Sequence, residues 1–99
     1  MAKKADIPTA SVKRRRVVLT ADLGPGKNVS VAGNFNDWDP GAKPMPDKEG
    51  NGIYRCTLLL APGKYEYKFV IDGVWCTDPS NDNFAPNDLG TLNSLLIVE

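Results

Sequence analysis

The sequence contains no histidine and only two cysteines, Cys56 and Cys76. Neither cysteine belongs to a CxxC pair, so most zinc sites and cysteine–histidine catalytic arrangements are excluded. Walker loops, nucleophile elbows and kinase signatures are also missing from the sequence. We therefore predict a protein with no metal site and no cofactor that is not an enzyme, and we expect both thiols to be buried and reduced.

Long hydrophobic runs are missing as well. A membrane-spanning helix needs about 20 predominantly apolar residues, and no stretch of this chain approaches that length. The lysines of "MAKKADIPTA" are not followed by the apolar segment of a secretory signal peptide. We therefore predict a cytoplasmic protein without a membrane partner.

The charges balance overall but not along the chain. Six of the 12 basic residues lie in the first 16 positions, together with one of the 12 acidic residues. This pattern predicts a flexible basic arm at residues 1–12 and one domain at residues 13–99. Because the domain is acidic beyond position 16, we predict no nucleic acid partner for it. Anchoring of the basic arm to nucleic acid or another acidic surface is an open alternative.

Apolar and polar residues alternate as in β-strands, and no apolar stripe at helical spacing lasts for three turns. The predicted strands cover residues 16–21, 28–33, 52–60, 64–71, 74–76 and 92–99. Short strands at this spacing in about 100 residues predict an all-β fold, an immunoglobulin-like sandwich of two antiparallel sheets.

The alternation also assigns individual side chains to strand faces. In "GIYRCTLLL" it places Cys56 in the interior, and in "KYEYKFVI" it points Lys68 away from the core. Asp72 and Gly73 form a strong two-residue turn signal. Trp75 is therefore expected just beyond a hairpin turn.

Two long polar connections, residues 34–52 and 77–90, separate the predicted strands. Loops longer than about 12 residues in compact domains usually carry a site. Their carboxylates lack the apolar pocket that a catalytic acid needs, so we interpret them as surface acids. These carboxylates are Asp37, Asp39, Asp78, Asp82 and Asp88.

The segment "DPSNDN" clusters oxygen ligands, but its spacing does not predict a calcium site. An EF-hand loop needs glycine at its sixth position and glutamate at its twelfth, where this chain has Asn83 and Leu89. Side-chain turns made by Asp78, Ser80 and Asp82 explain the segment.

The two tryptophans favour carbohydrate binding. A sugar ring has an apolar face of C–H groups and a polar edge of hydroxyls, so its binder needs exposed aromatic planes beside amide and ammonium donors. Trp38 lies in a loop of Asn and Asp residues, and Trp75 lies beside a tight turn. The outward Lys68 and the loop that ends in "LGTLN" favour a site. Burial of either tryptophan in the core is the alternative.

Three motifs in order, "VSVAGNFNDWDP", "YEYKFVIDGVWCTDPSND" and "LGTLNSLLIV", resemble the carbohydrate-binding modules of family 48. That family includes the glycogen-binding domain of the AMP-activated protein kinase beta subunit and N-terminal domains of branching and debranching enzymes. The resemblance extends from about Lys13 to Glu99 and is greatest to the kinase-type modules.

The resemblance implies that two tryptophans form a bent platform for an α-1,4-glucan, here Trp38 and Trp75. It also implies a lysine and an amide that hydrogen-bond sugar hydroxyls, an apolar residue that presses on the concave side of the glucan, and a polar loop contact. These positions are occupied by Lys68, Asn93, Leu89 and Thr91, respectively.

We therefore predict noncatalytic binding of α-1,4-linked glucan, such as glycogen or maltodextrin. One alternative is an interaction domain whose exposed tryptophans dock a protein partner. Another is the N-terminal module of a glucan branching or debranching enzyme.

Overall fold

The computed structural model describes residues 13–99, and the predicted basic arm at residues 1–12 lies outside the described residues. The strands are β1 (Arg15–Asp22), β2 (Val29–Gly33), β3 (Ile53–Leu60), β4 (Gly63–Ile71), β5 (Val74–Cys76), β6 (Phe84–Pro86) and β7 (Leu92–Val98). Between positions 13 and 99, no helix is long and apolar enough to cross a membrane. The predicted all-β class is confirmed, whereas the domain boundary and the cytoplasmic location stay predictions.

The strands form two sheets in which every pairing is antiparallel. β1 and β3 make a two-stranded sheet, and a five-stranded sheet has the order β2, β4, β7, β6, with β5 also paired to β4. Three strands pair with β4: β7 pairs with its residues 63–67, β5 pairs with its residues 69–71, and β2 pairs with its residues 67–71. β2 therefore occupies the edge of β4 opposite to that of β5 and β7. Because a strand has two edges, β5 and β7 share one edge of β4, and Trp75 therefore lies near the start of β7.

The core lies between the sheets, where alternate residues of each strand face inward. The buried residues of β3 are Tyr54, Cys56, Leu58 and Leu60. Tyr67 and Phe69 of β4 belong to the same cluster, with ring centroids 5.8 Å apart. The predicted interior position of Cys56 is confirmed, and burial raises the pKa of its thiol. Cys76 is also a free thiol but only half-buried.

Two features of the five-stranded sheet differ from the sequence-based expectations. β6 lies inside the connection predicted at residues 77–90, because three residues are too few to show an alternation. Pro86 is tolerated there because β6 is an edge strand. Val70 is only 7% exposed although it shares the outward face with Lys68. Its cross-strand partners Ser30 and Trp75 flank it on both sides.

Asp78 is buried, at 4% exposure, so its interpretation as a surface acid is wrong. Its carboxylate accepts hydrogen bonds from the Tyr67 hydroxyl at 2.7 Å and from the Ser80 N–H and hydroxyl at 2.9 and 2.8 Å. Its own N–H donates to Ser94 Oγ at 2.8 Å. Asp78 is buried because the Tyr67 hydroxyl, which the alternation places in the core, requires an acceptor. The bonds to Ser80 make the predicted side-chain turn.

Tyr67 is expected to make the protein less stable at alkaline pH. Burial raises the pKa of Tyr67 well above its usual 10.0, and the Asp78 carboxylate adds to the rise. The unfolded state then releases the proton near pH 10 while the folded state retains it, so stability is full below that pH and falls above it.

Urea unfolding of the wild type and of Tyr67→Phe between about pH 8 and 11 measures this contribution. Above pH 10, the free energy of unfolding of the wild type should decline more steeply than that of Tyr67→Phe, by up to about 1.4 kcal/mol per pH unit. Both proteins keep Cys56 and Cys76, whose pKa values burial also raises, so their difference isolates Tyr67. Parallel declines in the two proteins would contradict the prediction.

Candidate functional site

A groove of about 730 Å³ lies on the outer face of the five-stranded sheet. Sites for small molecules typically have volumes of about 300 to 1,000 Å³. The residues that line the groove are Trp38, Glu66, Lys68, Trp75, Pro86, Asn87, Asp88, Leu89 and Asn93. Strands β4 to β7 and both long polar connections thus contribute to one surface.

Trp38 is held at the groove by the loop that follows β2. The Asn36 side chain accepts a hydrogen bond from the Gly33 N–H at 3.0 Å and donates to a carbonyl of β2 at 3.1 Å. The Trp38 N–H donates to the Gly33 carbonyl at 2.9 Å. A Cβ at Gly33 would lie 2.5 Å from the Glu66 carbonyl oxygen and 2.6 Å from the Phe35 ring, so only glycine fits. The motif "GNFNDW" therefore specifies a tight turn that presents Trp38.

The backbone at Asp37 and Trp38 is left-handed, with φ of 57° at both residues. For a residue with a side chain this conformation costs on the order of 1 kcal/mol, and bulky residues rarely adopt it. The hydrogen bonds of the turn offset this strain. A tryptophan in such a position favours a role for its indole at the surface.

Trp75 and Lys68 come to the groove from neighbouring strands. Asp72 and Gly73 have φ of 50° and 83°, as the predicted two-residue hairpin turn requires. β5 then pairs with β4 so that Trp75 lies opposite Val70, on the same face as Lys68. Trp75 is 43% exposed. The predicted outward direction of Lys68 is confirmed, since it lines the groove.

Leu89 lies in the loop between β6 and β7 and is 86% exposed. Asn87 shapes this loop, because its Oδ1 accepts hydrogen bonds from the N–H groups of Leu89 and Thr91 at 3.0 and 3.1 Å. Its Nδ2 donates to Thr91 Oγ1 at 2.8 Å. The loop thus holds a large apolar side chain in solvent, where covering it with a ligand would gain free energy.

Asn93 is 5% exposed although it lines the groove. Its Nδ2 donates to Glu66 Oε1 at 2.9 Å, and its Oδ1 accepts from Asn87 Nδ2 at 3.0 Å. Lys68 Nζ donates to Thr91 Oγ1 at 3.1 Å, and Thr91 Oγ1 also accepts from Asn87. Five side chains therefore form one polar network: Glu66, Lys68, Asn87, Thr91 and Asn93. An asparagine amide has two N–H donors and an oxygen with two lone pairs. One N–H of the Asn93 amide and one lone pair of its oxygen therefore have no hydrogen-bond partner within residues 13–99.

The groove brings together five of the six predicted site residues, Trp38, Lys68, Trp75, Leu89 and Asn93. Thr91 does not line the groove but supports it through the polar network. Neither tryptophan belongs to the hydrophobic core, so core burial does not explain them. Contact of these residues with a ligand stays a prediction.

Sequence reasoning missed Glu66, Pro86, Asn87 and Asp88, which also line the groove. The alternation along β4 contains a signal for Glu66, because it shares the outward face with Lys68. No pattern in the sequence identifies Asn87, whose partners are set by the conformation of its loop.

A family model described as the glycogen recognition site of AMP-activated protein kinase matches residues 17–99. The chain therefore belongs to this family of carbohydrate-binding modules, a class of noncatalytic domains. The resemblance in the three sequence motifs is confirmed.

Subunit beta-1 of 5'-AMP-activated protein kinase from Sus scrofa is 34% identical over 76 residues, which are 77% of this chain and 58% of that protein. Subunit beta-2 from Homo sapiens is 35% identical over 74 residues, which are 75% of this chain and 26% of that protein. The chain thus spans only part of the length of these relatives.

The fold is also similar to a solved structure, the crystal structure of maltogenic amylase from S. marinus. The TM-score is 0.72, with 24% sequence identity, over 87% of this chain and 14% of the amylase chain. This similarity supports the sandwich architecture.

Proposed function

We propose that this chain binds α-1,4-linked glucan, such as glycogen or maltodextrin, by stacking sugar rings on Trp38 and Trp75 without cleaving the polymer. The observation that carries the proposal is the position of both indoles on one groove that also contains Lys68 and Asn93. Membership in a family described by glycogen recognition supports the choice of polymer.

The groove offers what a sugar ring requires. The indoles match the apolar C–H face of a ring, while Lys68 and Asn93 offer hydrogen-bond donors to hydroxyls at its edge. By analogy with base stacking, each indole contributes about 1 to 3 kcal/mol. Together with the hydrogen bonds from Lys68 and Asn93, we expect a dissociation constant of about 10⁻⁵ to 10⁻³ M.

The carboxylates at the groove favour binding over catalysis. Glycoside hydrolysis needs two carboxyl groups, one of them with a pKa raised by an apolar site. Asp88 is exposed to solvent, and Glu66 accepts a hydrogen bond from Asn93. We therefore propose that the groove holds the glucan and cleaves no bond.

Linkage selectivity tests the proposal. Maltoheptaose coils and presents a curved series of ring faces, whereas cellohexaose is straight and can stack on one indole at a time. We expect maltoheptaose to bind about tenfold or more tightly, because the straight chain loses the second stacking contribution. Calorimetry measures both affinities, and backbone amide shifts identify the surface that is contacted.

A Leu89→Ala variant refines this comparison, because Leu89 is proposed to press on the concave side that only the coiled chain has. This variant should reduce the difference in affinity between maltoheptaose and cellohexaose. Equal binding of both by the wild type would contradict two-indole recognition of a curved chain. Amide shifts outside the groove would contradict the proposed surface.

A further inference from the structure

Of the part of the chain that the structure describes, the charged side chains that line the groove are Glu66, Asp88 and Lys68, which together carry one net negative charge. Asp37 and Asp39, on either side of Trp38 in the chain, are also exposed. A second depression beside the two-stranded sheet is positively charged instead. Its charged lining residues within positions 13–99 are Lys43, Lys48, Glu49 and Arg55. In a chain with no net charge, the groove is thus a locally acidic surface.

Glu66 is the most firmly held of these acids. Its Oε1 accepts the hydrogen bond from Asn93 at 2.9 Å, and Asn93 is itself held by Asn87. Its backbone carbonyl accepts from the Asn34 N–H at 3.1 Å, and its N–H donates to Asn34 Oδ1 at 3.2 Å. The carboxylate therefore stays at the groove, whereas Asp88 lies on an exposed loop.

Lys68 does not turn the groove into a phosphate site. Protein sites for phosphate combine several donors, typically arginines, lysines or backbone N–H groups. Among residues 13–99, Lys68 is the single basic residue that lines the groove, and its ammonium donates to Thr91 Oγ1 at 3.1 Å. Glu66 lies two residues before Lys68 on the same face of β4, at a spacing of about 7 Å along the strand. A phosphate that approaches Lys68 therefore also approaches a carboxylate.

We infer that the groove selects uncharged α-glucan against phosphorylated α-glucan and that Glu66 is a specificity-determining residue. This inference rests on the proposed function. A phosphate monoester carries close to two negative charges at neutral pH. Lys68 offsets one of the two acids that line the groove, so such a group meets one net negative charge. At a separation of about 7 Å in water, repulsion between a dianion and one negative charge weakens binding by about five- to tenfold. Salt screens this repulsion but does not affect stacking.

The experiment compares the affinities for maltoheptaose and for maltoheptaose with one 6-phosphate, measured by calorimetry at low salt. Glu66→Gln removes the charge while its side-chain oxygen can still accept from Asn93. Asp22→Asn is the matched control, because it makes the same charge change at an exposed position at the end of β1. Thermal unfolding of each variant verifies that it is folded.

The wild type and Asp22→Asn should bind the phosphorylated maltoheptaose about five- to tenfold more weakly than maltoheptaose itself. In Glu66→Gln, the ratio of the two dissociation constants should be smaller by about threefold or more. High salt should reduce the ratio in the wild type. Equal affinities in the wild type, an unchanged ratio in Glu66→Gln, or a ratio that does not respond to salt would overturn the inference alone. Failure to bind either ligand would overturn the proposed function and the inference with it.

Discussion

Alanine in place of either Trp38 or Trp75 is expected to weaken maltoheptaose binding by about tenfold or more while the protein remains folded. Trp75 is 43% exposed and Trp38 is half-buried, and neither residue belongs to the core cluster. Removal of either indole therefore deletes a stacking surface without opening a core cavity. The free energy of unfolding should change by less than about 1 kcal/mol.

Calorimetric titration and thermal unfolding of each variant test this expectation together. Leu59→Ala is the matched control, because Leu59 is a large, 61% exposed apolar residue of β3 in the other sheet. It should leave the affinity unchanged. Unfolding of a tryptophan variant would contradict our assignment of that indole to the surface, and wild-type affinity would contradict its role in binding.

The left-handed backbone at Trp38 permits a second comparison. An alanine at position 38 keeps the backbone strain that a φ of 57° causes, whereas a glycine there relieves it. Trp38→Gly should therefore be more stable than Trp38→Ala and bind glucan as weakly. A glycine variant that recovered affinity would indicate that loop conformation rather than the indole surface controls binding.

Most of the fold could be predicted from local sequence patterns. The alternation in β3 and β4 assigns Cys56 to the core and Lys68 to the outer face, because successive side chains of a strand point to opposite sides. The Asp72–Gly73 signal predicts the β4–β5 hairpin, since two-residue turns need residues that tolerate positive φ. Such signals require information from only a few neighbouring residues.

The supports of the groove could not be predicted in this way. Asn87 acquires its role through hydrogen bonds with Asn93 and Thr91, and Glu66 through its bond with Asn93 across two strands. These partners depend on strand pairing and loop conformation, which local periodicity does not encode. The burial of Asp78 was missed for the same reason, because its partners Tyr67 and Ser94 lie on β4 and β7.

Asp78 is expected to be the acid on which stability depends most strongly. In Asp78→Ala the hydroxyl of Tyr67 and both donors of Ser80 lose their acceptor. The residue Tyr67 is 1% exposed, so water cannot easily replace the lost partner. We expect the free energy of unfolding to fall by about 2 to 4 kcal/mol, because a buried unsatisfied group costs about 1 to 3 kcal/mol. The melting temperature should fall by about 10 to 20 °C.

Two further variants show whether the lost hydrogen bonds cause this effect. Asp82→Ala removes an exposed acid from the same loop and should change stability by less than about 0.5 kcal/mol. Adding Tyr67→Phe to Asp78→Ala removes the hydroxyl that would otherwise be left without an acceptor. The double variant should therefore be about 1 to 2 kcal/mol more stable than the sum of the two single effects predicts. Strict additivity of the two substitutions would contradict a direct role of the Tyr67–Asp78 bond. The Asp78 N–H also donates to Ser94 Oγ, next to Asn93, so this hydrogen bond joins the segment that follows β5 to β7, and these two strands carry Trp75 and Asn93.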